Sequence, residues 1–104
     1  MLEQTLSALT DPSRRALVDE LRGGERAVGE LVARLGLEQP SASKHLRVLR
    51  ELGLVAVRKD AQRRLYTLRP QPMQELDAWL APYRRLWSDS LDALGRHLDR
   101  QDDE

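Results

Sequence analysis

The chain has 104 residues, no cysteine, and 17 Lys/Arg balanced by 17 Asp/Glu. That length suits one domain with a modest core, marginal as a monomer, and the missing cysteines exclude disulfides and thiolate metal sites. No apolar run approaches the ~18 residues of a membrane span and no signal-peptide-like apolar stretch opens the chain, so a cytoplasmic protein without membrane contact is expected.

Leu2, Leu6 and Leu9 stand at i, i+4 and i+7 and predict a short amphipathic helix that stops near Thr10. Asp11 is a good N-cap and Pro12 a good first helical residue, so a second helix starts there. Ala16, Leu17, Val18 and Leu21 supply its buried side, and Gly23-Gly24 ends it. A third helix is expected over 28–35, with Gly36 as its stop. Leu37-Glu38-Gln39-Pro40 then turns into a fourth, closed by Gly53. Two short helices joined by a tight glycine-containing turn predict a helix-turn-helix.

The β-branched run 54–58, a turn over 59–62 and the alternating run 63–69 predict a β-hairpin with a basic tip. Pro70 and Pro72 end the second strand. A long helix is expected over 73–98, with a wide apolar stripe from Leu76 to Leu98. Pro82 inside it predicts a kink or a break. The expected domain covers 1–98, and the acidic tail 99–104 is expected to fray.

Charge is not spread evenly. Residues 1–38 carry five Lys/Arg against seven Asp/Glu and residues 70–104 four against eight, but residues 39–69 carry eight against two, a net of +6. A local basic patch is what phosphate binding requires, whatever the global balance.

The fourth helix concentrates the chemistry. Ala42, Leu46, Leu49 and Leu52 can line its buried face, leaving Gln39, Ser41, Ser43, Lys44, His45 and Arg47 outside. That outer set donates hydrogen bonds and positive charge, with no carboxylate until Glu51, and it suits base edges and phosphates in a major groove. Gln39 is able to pair with adenine, Lys44 with guanine or a phosphate; Arg47, further along, is more apt for a phosphate. For His45, packing within the domain competes with DNA contact. Arg58, Lys59, Arg63 and Arg64 are the wing's candidate contacts to phosphate or minor groove. Arg14 and Arg15 are candidates either for the DNA backbone or for pairing with Asp11 or Asp19.

These residues resemble the ArsR/SmtB family of winged helix-turn-helix repressors. The resemblance is carried by Leu9-Thr-Asp-Pro-Ser-Arg-Arg-Ala-Leu17, Val28-Gly-Glu-Leu31, Leu35-Gly-Leu37 and Gln39-Pro-x-x-Ser-x-His-Leu-x-x-Leu49. Leu52-Gly-Leu-Val55 and Arg63-Arg-Leu-Tyr66 complete it. It implies a mostly α fold of order α-α-α-α-β-β-α with a β-hairpin wing, paired through its first and last helices. It also implies repression by operator binding, usually released by an effector, whose existence and identity the sequence leaves open.

Metal-sensing members carry Cys-x-Cys where this chain has Ala27 and Gly29, or paired Asp and His along the last helix, which here offers Asp77, Asp89, Asp92 and a single His97. No metal site and no cofactor are therefore expected. Glu38 also departs from the serine or threonine common at that helix cap. Trp79, Tyr83, Trp87 and Leu94, with Leu2, Leu6 and Leu9, are the expected homodimer interface, because so wide an apolar stripe needs a partner. The expected function is repression by binding a pseudo-palindromic double-stranded operator. A metal-responsive repressor and a protein-interaction module on the same scaffold are the alternatives, and no catalytic grouping is present to suggest an enzyme.

Overall fold

Asp11 sets the first boundary of the head. Its backbone is extended (φ −94°, ψ 128°), and its carboxylate accepts the N–H of Ser13 at 2.8 Å and of Arg14 at 3.1 Å. With Pro12 in first position, this starts α2 (Pro12–Leu21) just after the end of α1 (Leu2–Ala8). The structure, a computed structural model, describes residues 2–102, with side chains to residue 98.

Next comes a two-residue strand, β1 (Arg26–Ala27), leading directly into α3 (Val28–Leu35). The Ala27 N–H donates to Glu30 Oε1 at 3.1 Å, so a residue in the first turn caps the helix from inside. Gly36, at φ 66°, ends α3 in the left-handed conformation that favours glycine. The recognition-helix candidate, α4 (Gln39–Glu51), begins at Glu38, whose side chain makes no capping bond. Its other end is better closed. Gly53 (φ 83°) donates to the Arg50 carbonyl at 3.1 Å and Leu54 to the Leu49 carbonyl at 2.9 Å. This pair of bonds forms a Schellman motif, and buried Leu54 supplies its apolar contact.

Strands β2 (Val55–Asp60) and β3 (Arg63–Leu68) form the wing, in register from Val55 opposite Leu68 to Asp60 opposite Arg63. Their turn is tighter than the expected 59–62. Arg63 reaches Asp60 at 3.3 Å and holds the ladder closed to the tip, leaving only Ala61 and Gln62 as loop. Ala61 there takes φ 59°. A further correction is β1, which pairs with the other edge of β3 (Arg26 opposite Tyr66, Ala27 opposite Leu65) and makes a three-stranded antiparallel sheet of order β1-β3-β2. Two residues are too few to show an alternating pattern, so the strand exists only through its partner.

Leu17, Leu21, Leu31, Leu46, Leu49, Leu54 and Val55 are almost fully buried and form one core with Ala8, Val18 and Tyr66. The head is thus mostly helical, with α2, α3 and α4 packed on one another and the sheet beside them.

The last helix, α5 (Pro70–Asp102), is 33 residues long. It starts three residues before Met73, since Pro70 opens a helix as readily as it ends a strand. It also continues across Pro82 without the break considered above. Proline at 82 leaves the Ala78 carbonyl without its helical donor; Ala78 is exposed, so water is available to that oxygen. The helix runs on through residue 102, so 99–102 belong to it, while 103–104 lie outside the described residues.

At 1.5 Å per residue α5 is about 50 Å long, and the molecule measures 66 × 29 × 21 Å. Its radius of gyration, 18.8 Å, exceeds the ~13 Å of a compact chain of this length. Leu6 and, on α5, Trp79, Tyr83, Leu86, Trp87, Leu91, Leu94 and Leu98 are 43–67% exposed. Leu2 is half-buried, and Leu9 packs partly against the core of its own head.

Candidate nucleic-acid interface

Because α4 buries Ala42, Leu46 and Leu49, it presents two polar flanks. One flank faces the wing. Gln39, Ser43, Lys44 and Arg47 from α4 and Arg63 and Arg64 from the wing line a single open trough of about 960 Å³. The N-terminal turn of α3 also lines it, contributing Val28, Gly29 and Glu30. Arg50 and Gln62 also line the trough and were not singled out from the sequence. Arg50 was accessible to spacing alone, since Ser43, Arg47 and Arg50 follow at i, i+4 and i+7. Gln62 had no such signal, as its place depends on the tight turn.

The trough is strongly cationic. Among the described residues, Lys44, Arg50 and Arg64 have no ion-pair partner, and Arg47 reaches Glu51 only at 4.0 Å. Glu30 is the one carboxylate among the lining residues, and it is engaged with the Ala27 N–H and lies 4.0 Å from Arg26. On the wing Lys59 lies directly opposite Arg64. Like charges placed so repel across the ladder, and an anion between them removes that repulsion.

Three of the expected contacts lie outside the trough besides Lys59. Ser41 is exposed on the other flank of α4. His45, on that same flank, is half-buried, and its charge acts on the Asp11 carboxylate. Asp11 is held below the ordinary aspartate range, first by the Arg14 N–H, with the Ser13 N–H and the charges of His45 and Arg14 adding to it against partial desolvation. Arg58 is committed elsewhere: Nε meets Glu25 Oε2 at 2.7 Å and Nη2 meets Oε1 at 2.7 Å.

The Arg14 and Arg15 guanidiniums hydrogen-bond to neither Asp11 nor Asp19 but to backbone carbonyls. Arg14 Nε donates to the Ala8 carbonyl at 2.7 Å and Nη2 to that of Ser7 at 3.3 Å. Arg15 Nη1 donates to the Leu9 carbonyl at 2.7 Å. Both guanidiniums therefore cap the C-terminal end of α1, where carbonyls lack helical partners and the helix dipole favours a cation.

Among the described residues no three His, Cys, Asp or Glu side chains converge as a metal site. Along α5, Asp77 is hydrogen-bonded by Arg84. No helix among the described residues is long and apolar enough to cross a membrane.

A buried three-helix head, a recognition helix beside a basic hairpin and a trough between them define a winged helix-turn-helix protein. Residues 11–57 match the family model described as "Bacterial regulatory protein, arsR family". The chain is 35% identical over 102 residues to the HTH-type transcriptional regulator Rv2034 of Mycobacterium tuberculosis, covering 98% of this chain and 92% of that one. It is 27% identical to the transcriptional repressor SdpR of Bacillus subtilis over 79 residues, 76% of this chain and 88% of that one. Among solved structures it is similar to the ArsR family transcriptional regulator RHA00566, with a TM-score of 0.72 and 32% identity over 84% of this chain and 96% of that one. The chain belongs to the ArsR family of bacterial transcriptional regulators, a class that is not enzymatic.

Proposed function

We propose that the protein is a homodimeric repressor that binds a pseudo-palindromic DNA operator in the cytoplasm. The observation that carries this reading is the trough, where Ser43, Lys44, Arg47 and Arg50 of one helix face Arg63 and Arg64 of the wing. Gln39 and Ser43 at the start of α4 read base edges, while the arginines grip the backbone strand that passes between helix and wing.

The exposed apolar side of α5, continued by Leu6, supports the dimer. Burying that side against a second copy would set two recognition helices into successive major grooves about 34 Å apart. Most of the affinity then comes from neutralising phosphates, about 6–10 per dimer, so log K falls steeply with log salt. Repression follows from excluding polymerase from the occupied site.

Selection of sheared genomic DNA on the purified protein, followed by footprinting of what is retained, tests the reading. A recovered inverted repeat is expected. Ser43→Ala and Lys44→Ala should each weaken binding to it without unfolding the protein. If both variants hold the recovered duplex as tightly as the unsubstituted chain, α4 is not the reading helix.

A further inference from the structure

We propose that Glu25 is a positioning residue for DNA binding: its two-point ion pair with Arg58 fixes the pitch of the wing, so Arg58 acts as a brace and not as a phosphate contact. The proposal rests on the DNA-binding reading above and assigns two residues within it.

The geometry is specific. Arg58, Leu65 and Ala27 stand in one row across the sheet, on β2, β3 and β1 in turn. Glu25 immediately precedes β1. The ion pair therefore spans the central strand, tying the outer strand of the wing to the segment that enters α3. Leu65 lies in the middle of that row and is 5% exposed. A planar guanidinium donating two parallel bonds to one carboxylate constrains direction as well as distance. Of the two partners Glu25 is the more covered, at 29% exposure against 59% for Arg58. Its carboxyl is held below the ordinary glutamate range chiefly by the Arg58 hydrogen bond.

The trough supplies the other half of the argument. Its wing wall is made by Gln62, Arg63, Arg64 and Tyr66, and Arg58 is absent from it. Arg58 stands opposite Leu65, two rungs below the Asp60–Arg63 pair at the tip of the hairpin. Its guanidinium is directed to Glu25, while Gln62, Arg63 and Arg64 nearer the tip line the trough. Tilting the hairpin about its base moves that wall and alters the width available to a backbone strand.

The test uses the full chain and the duplex recovered by selection, with dissociation constants measured across a salt series. A brace predicts that Glu25→Gln and Arg58→Gln each weaken binding roughly three- to tenfold. It predicts that neither changes the slope of log K against log salt, and that the two together do no more harm than one. It also predicts that the charge-swapped chain, Glu25→Arg with Arg58→Glu, regains most of the lost affinity. Arg64→Gln is the reference for a true phosphate contact and should flatten the slope by about 1 per protomer. If Arg58→Gln flattens the slope as Arg64→Gln does, and the swapped chain binds worse than either single variant, Arg58 touches phosphate and the brace is wrong. Normal salt-dependent binding with an unaffected Glu25→Gln overturns the brace alone. An unsubstituted chain that retains no DNA overturns the operator reading and the brace with it.

Discussion

Arg14 Nε donates to the Ala8 carbonyl at 2.7 Å, so a side chain in the first turn of α2 closes the last turn of α1. Seven residues are too few for a helix to hold itself in water. α1 is kept by this cap, by its neighbour from Arg15 and by the burial of Thr5 and Ala8. Arg14→Ala should therefore lower stability by about 1–2 kcal/mol, toward the low end for a hydrogen bond to a charged group because the bond is only part-buried. Urea unfolding measures this. An unchanged midpoint with an unchanged slope would show that the cap contributes nothing.

Reading and gripping should separate by experiment. Gln39→Ala is expected to relax discrimination at a single base pair by about 1–3 kcal/mol with little change in salt dependence. Arg50→Gln is expected to weaken binding to all sequences alike and to flatten the salt slope by about 1 per protomer. Competition binding with single-base operator variants distinguishes the two patterns, and a sequence-selective effect at Arg50 would reassign it to the bases.

Leu91 is the most exposed of the apolar side chains on α5, at 67%. Leu91→Asp thus removes nothing from the core of the protomer. It places a charge in the proposed two-fold interface, and the dissociation constant of the dimer should rise by about tenfold or more. Sedimentation velocity over a concentration series reads it out. A dimer as tight as that of the unsubstituted chain would mean that some other surface joins the copies.

Asp11 and Glu25 are both held below their ordinary ranges, the first chiefly by the Arg14 N–H and the second chiefly by Arg58. A carboxyl whose folded value is depressed stabilises the fold above its unfolded value, and the effect is lost as pH falls through the folded value. The loss should begin below about pH 4.3 and be absent between pH 6 and 8. Melting temperatures of Asp11→Asn and Glu25→Gln should converge on that of the unsubstituted chain as pH is lowered through this window. Parallel curves would show that neither carboxylate is coupled to folding.

Ala61 occupies the left-handed region at φ 59° in the wing turn. An L-residue there is strained by about 1–2 kcal/mol, and glycine removes the strain at some loss of chain entropy. Ala61→Gly is expected to raise stability by about 0.5–1 kcal/mol, with operator affinity nearly unchanged since residue 61 does not line the trough. Thermal unfolding and a binding titration check the two halves.

The helical head was legible because its boundaries are local events. Asp11-Pro12, Gly36 and Gly53 act within a few residues, and the limits of α3 agree with those expected from spacing. The apolar stripe of α5 was equally clear, as apolar residues recurring at helical intervals from Leu76 to Leu98 need no partner to be seen. What escaped was settled at a distance. β1 takes shape only against Tyr66 and Leu65, and the partner of Arg58, Glu25, stands 33 positions earlier in the chain. The partners of Arg14 and Arg15 were hidden for a related reason. Nothing in their spacing reveals that the carbonyls of Ala8 and Leu9 lie within reach.

The two residues of β1 have a consequence out of proportion to their number. By pairing with the inner strand of the hairpin, they tie the wing to the entrance of α3 and so to the helical head. Were two copies joined along α5, each wing would travel with its own head, and the spacing between the two, as between the jaws of a caliper, would be set by the long helix.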